Sequence, residues 1–72
     1  MKGNFFYQRL GENIITGRRK RKISQEQLAL ISDVDRTYVA RLEHGKANPT
    51  IKTLNKLCKT LKIRLEKLLE GV

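Results

Sequence analysis

The chain is short of nearly everything that small domains use as a brace. Its 72 residues include one cysteine, so no disulfide can form within the chain. One histidine and that cysteine cannot supply the roughly four ligands of a structural zinc site. No apolar run approaches the ~20 residues that span a bilayer. Lys2 is followed by Gly3, Asn4 and mixed residues, which is not the apolar segment of a secretion signal. The expectation is a cytoplasmic protein with Cys58 reduced. Acidic charge is scarce as well. Seven Asp and Glu face sixteen Lys and Arg, giving +9, a balance that favours DNA, RNA or an anionic membrane as partner. A chain of this length is read as one domain, residues 1–72. It buries only about 60% of its unfolded surface, so its core is thin. With disulfide and metal set aside, a partner subunit is the remaining support.

Nothing alternates apolar and polar residues for long enough to predict a strand. The periodicity predicts an all-α protein, a bundle of five short helices. The first covers Phe5 to Lys20, with Asn4 as N-cap and Phe6, Leu10, Ile14 and Gly17 on one stripe. The second covers Gln25 to Ser32. Ser24 and Gln27 form a capping box there, and Leu28 and Ile31 face inward. Asp35 caps the third, Arg36 to His44, whose inner residues are Val39 and Leu42, with Val34 packed beneath. Gly45 ends it, where glycine takes the left-handed conformation at low cost. After the loop Lys46 to Pro49, Thr50 caps a fourth helix running to Lys62. Its stripe is Ile51, Leu54, Leu57, Cys58 and Leu61. The fifth covers Leu65 to Glu70 and is crowded by Leu65, Leu68 and Leu69. Of the glycines, Gly11 and Gly17 stand inside a helix; Gly3, Gly45 and Gly71 stand near element ends.

Two short helices joined by a tight turn, from Ser24 to Gly45, have the anatomy of a helix-turn-helix. Arg36 and Thr37 sit in the first turn of the second of these, with Arg41 about a turn later on the same side. A recognition helix contacts base edges from its N-terminal part. Arg is the commonest bidentate reader of guanine, the Thr methyl packs on a thymine methyl, and Ala40 keeps the face slim. The plain alternative is a solvated helix face. Tyr38 either fills space under the second helix or reaches a phosphate. Gln25 opens a helix whose free N–H groups suit a phosphate, or is simply a good first-turn residue. Lys46 and Asn48 follow the third helix and could grip the backbone, or serve the turn.

The run Arg18 to Lys22 spans more than one turn and cannot all face one partner. Arg18 is expected to turn inward, with Glu43 as its mate. Cys58 reads as a small buried hydrophobe and His44 as a polar helix-end residue. There is no carboxylate pair, no Ser–His–Asp set and no Gly-rich phosphate loop, so neither catalysis nor a cofactor, metal or small-molecule ligand is expected.

These residues resemble the phage repressor and Cro-like helix-turn-helix family, the lambda-repressor-like DNA-binding domain. The likeness covers Leu10 to Leu69 through S-Q-E-Q-L-A (Ser24 to Ala29), V-D-R-T-Y-V-A-R-L-E-H-G (Val34 to Gly45), N-P-T-I-K-T-L (Asn48 to Leu54) and L-C-K-T-L-K-I (Leu57 to Ile63). Within the family the chain looks most like controller proteins of restriction–modification systems, with small phage or mobile-element repressors next. The resemblance implies a transcriptional regulator that binds double-stranded DNA as a homodimer on a palindromic operator, as repressor or activator. It implies Arg36, Thr37 and Arg41 on bases and Gln25 on a phosphate. It also implies a partly buried Arg18–Glu43 ion pair and a dimer contact through the fifth helix at Leu65, Leu68 and Leu69. Four positions depart from the family pattern: Gly17 for a large apolar residue, Asp33 and Lys22 for glycines, and Arg64 for a capping Ser or Thr. Two other readings compete. An antitoxin-type module would grip a protein partner, but the chain ends at Val72 without such an extension. A membrane binder would need an exposed apolar face, and the apolar stripes here look claimed by a core.

Overall fold

Residues 4–72 are described by the computed structural model, which forms α1 (Asn4–Lys20), α2 (Gln25–Ser32), α3 (Arg36–Glu43), α4 (Ile51–Leu61) and α5 (Leu65–Leu68). Among the described residues there is no strand. Gly3 and the side chain of Asn4, the expected cap of α1, lie outside them.

The helix starts follow from short polar side chains. Ser24 Oγ accepts from the Gln27 N–H at 3.0 Å while Gln27 Oε1 accepts from the Ser24 N–H at 2.7 Å, completing the capping box. Asp35 accepts from the Tyr38 N–H at 3.2 Å, and Thr50 from the Thr53 N–H at 3.1 Å. Arg64 offers α5 no such bond. That helix closes after four residues instead of the six expected. α3 ends one residue early, with His44 as its C-cap. Left-handed residues close three of the turns: Lys22, Asp33 and Lys62, with φ of 57°, 59° and 57°.

Leu10, Ile14, Leu28, Val39, Leu42, Leu54, Leu57, Cys58, Leu61 and Leu68 share one buried cluster with Ala29. α1 packs on α3, α2 on both α3 and α4, and α5 on α4 and α1. Three expected core residues are not in it. Phe6 is on the stripe of Leu10 and Ile14 yet 54% exposed, because the 17-residue α1 outruns the eight-residue α3. Ile31 is 62% exposed. The inner face of α2 instead turns through Leu28, Ala29 and Ser32, and buried Ser32 is satisfied by Thr60 at 2.6 Å between hydroxyl oxygens. Ile51, 56% exposed, stands at the edge of the α4 stripe.

Gly11 makes the α1–α3 crossing possible. A Cβ there would stand 2.5 Å from the Leu42 carbonyl oxygen and 2.6 Å from that of Glu43. The crossing fixes α3 against α1 from behind. No helix among the described residues is long and apolar enough to cross a membrane.

Candidate nucleic-acid interface

Val39 and Leu42 are fully buried, so α3 is locked in rotation by its inner face. That leaves Arg36, Thr37 and Arg41 exposed, with Ala40 half-buried between them. Arg36 Nη1 lies 3.8 Å from Glu26 Oε1, a solvent-exposed pair that costs little to break. Arg41 is more constrained. Its Nη2 donates to the Lys46 carbonyl at 2.9 Å, so a base contact by Arg41 competes with that bond. Tyr38 is half-buried and packs against the core, so the space-filling reading has direct contacts.

The C-terminal end of α3 is held by charge. Glu43, 4% exposed at its side chain, accepts from Arg18 Nε at 2.7 Å and Nη2 at 3.2 Å. Arg18, 16% exposed, also donates Nη1 to the Ile23 carbonyl at 3.2 Å. The expected ion pair is therefore bidentate, and it has a third member. Gln25 Nε2 donates to Glu43 Oε1 at 3.0 Å, so one residue from each of α1, α2 and α3 meets at one carboxylate. Gln25 is half-buried; a phosphate at the start of α2 would meet an amide already oriented by Glu43.

Lys46 and Asn48 are exposed in the loop beyond α3. Gly45, at φ 72°, turns the chain there, and a Cβ on it would meet Gln8 Cγ at 2.8 Å. At the other end of the chain, Leu65 and Leu69 are half-buried. Leu68 is fully buried, which corrects its assignment to a dimer contact: its side chain has no surface to offer a second subunit. Asn13 was not among the expected functional residues. Its Nδ2 donates to the Leu68 and Glu70 carbonyls at 2.8 and 2.9 Å, tying the end of α5 to α1. The sequence signal is a poor helix former in the middle of α1. Cys58 is buried and burial pushes its thiol up, so it behaves as an inert core residue.

The helix-turn-helix family model matches residues 14–68. The chain belongs to the helix-turn-helix family. It is 43% identical over 60 residues to control protein C.SmaI of Serratia marcescens, covering 83% of this chain and 71% of that one. It is 38% identical over 53 residues to control protein C.MunI of a Mycoplasma species, covering 74% of this chain and 72% of that one. The crystal structure of the restriction–modification controller protein C.AhdI from Aeromonas hydrophila superposes with a TM-score of 0.83 at 32% identity, covering 86% of this chain and 94% of that one. The protein is a sequence-specific DNA-binding transcriptional regulator that resembles restriction–modification controller proteins, and it is not an enzyme.

Proposed function

We propose that the protein binds a palindromic operator as a homodimer, as a restriction–modification controller would, with α3 of each subunit in the major groove of one half-site. The observation that carries this reading is the exposed first turn of a helix whose other face is locked. Arg36 and Thr37 stand where a recognition helix meets base edges. Arg41 adds a contact further along. Gln25, Tyr38, Lys46 and Asn48 hold phosphates on either side, positioning α3 without specifying sequence. The operator reading makes the protein cytoplasmic and requires neither cofactor nor small-molecule ligand. A small phage or mobile-element repressor would use the same geometry; methyltransferase and nuclease genes beside this one would favour the controller reading.

Leu65 and Leu69, four residues apart, share one side of α5. Both are half-buried against the core, and Asn13 holds the turn that follows them in place. A two-fold contact through this ledge would bury apolar area that a thin core leaves uncovered, and would set two recognition helices side by side. Leu69→Arg tests it by bringing two charges together near the axis. Sedimentation should show a monomer and circular dichroism an unchanged helix content. A variant that stays dimeric would move the interface elsewhere, and a wild-type protein that is monomeric while bound to operator would end the dimer reading.

A further inference from the structure

A cleft of about 430 Å³ opens between the first turns of α1 and the loop beyond α3, with Tyr7 and Gln8 on one wall and His44, Lys46 and Asn48 on the other. Its lining carries formal charge of one sign only, the Lys46 ammonium. The Tyr7 hydroxyl and the Gln8 and Asn48 amides accept as well as donate, and can turn donors toward an anion. Among the described residues no carboxylate lines it, although the chain has seven. His44 Nδ1 donates to the Ala40 carbonyl at 2.7 Å, so this ring nitrogen is held by α3 rather than offered to the cleft. One ammonium, three groups able to donate and no acid suit an anion.

The position of the cleft selects the anion. Thr37 and Arg41 stand at i and i+4 on α3, and His44, its C-cap, follows at i+7, so the cleft continues the stripe that carries the base-reading residues. The eight residues of α3 span about 12 Å, comparable with the ~12 Å width of the major groove. A helix with its first turn on base edges therefore brings its far end to the flanking backbone. The loop is also fixed before any ligand arrives: Lys46 bonds Arg41 through both its N–H and its carbonyl, at 2.8 and 2.9 Å.

We infer that this cleft seats one phosphate of the operator backbone, and that Tyr7 and Gln8 of α1 form its second wall. Helix α1, outside the helix-turn-helix itself, then belongs to the DNA surface. The inference rests on the operator reading above. The test uses operator duplexes that each carry one neutral methylphosphonate, with binding read by fluorescence anisotropy for the wild type, Tyr7→Phe and Gln8→Glu. At one flanking phosphate per half-site, neutralisation should weaken the wild type by roughly tenfold, the loss of about one charge-assisted contact. It should weaken Tyr7→Phe by less. It should strengthen Gln8→Glu, because the new carboxylate repels that phosphate alone, and the gain should shrink as salt screens it. Equal factors for all three proteins at every phosphate would overturn the inference while leaving operator binding intact. If the wild type shows no sequence preference, it is the operator reading that falls. Gln8 lies against Gly45, so Tyr7→Phe, which removes only a hydroxyl, decides the matter should Gln8→Glu melt early.

Discussion

Arg41 and Lys46 are joined twice. The Lys46 N–H donates to the Arg41 carbonyl at 2.8 Å, and the Arg41 guanidinium donates back to the Lys46 carbonyl at 2.9 Å. The end of α3 and the start of the loop beyond it are therefore tied through both backbone and side chain. Arg41→Ala should weaken binding to every sequence, because the loop loses the side-chain half of its double tie, and also relax discrimination at one base position. Arg36→Ala should relax discrimination by about 1–3 kcal/mol at one position per half-site with a smaller uniform loss. Anisotropy titrations on specific and random duplexes separate the two patterns. Identical patterns would mean that Arg41 does nothing for the loop.

The Arg18–Glu43–Gln25 cluster should dominate the response of the fold to single charge removals. Glu43→Ala leaves a largely buried guanidinium without its partner, at a cost of about 3–5 kcal/mol. Glu70, whose exposed carboxylate meets Lys67 at 3.4 Å and no other cation among the described residues, should lose less than about 0.5 kcal/mol on the same change. Urea melts of the two variants make the comparison. Equal midpoints would show Glu43 to be a surface residue in solution.

Two helix-interior glycines should differ in kind. Alanine is the better helix former by about 1 kcal/mol, yet at Gly11 its methyl would press on backbone oxygens of α3, which cannot yield without separating the helices. Gly11→Ala should therefore destabilise by roughly 1–3 kcal/mol. At Gly17 the nearest atom is Leu61 Cδ1, 3.3 Å away at the end of a flexible side chain. Gly17→Ala should change stability by less than about 1 kcal/mol. Thermal melts of both proteins check the contrast, and a stabilised Gly11→Ala would mean that the crossing is looser than described.

What could be read from the sequence was local or periodic. The Ser24 box and the Asp35 and Thr50 caps follow from short side chains beside apolar runs. Leu54, Leu57, Cys58 and Leu61 follow from the period of α4. Ile31 could not be placed that way: in a helix of eight residues, three-apart and four-apart spacings define different faces, and only packing against α4 chooses Ala29 and Ser32. Gly11 is a tertiary matter, since nothing near it in the chain reveals the carbonyls of α3. Lys62 in the left-handed region gave no sign, because Lys has no local reason to adopt it. At the site, the exposure of Arg36, Thr37 and Arg41 follows from Val39 and Leu42. The bonds that bind Gln25 to Glu43 and Arg41 to Lys46 arise between elements and need the fold.

Selection from a random DNA pool tests the account most directly. The wild type should enrich two inverted copies of one half-site, with centres about one helical turn apart. The same selection with Arg36→Ala should lose preference at one position in each half-site and keep the spacing. A pool that stays random, or an enriched sequence that Arg36→Ala leaves unchanged, would contradict the assignment of α3 as the reading helix.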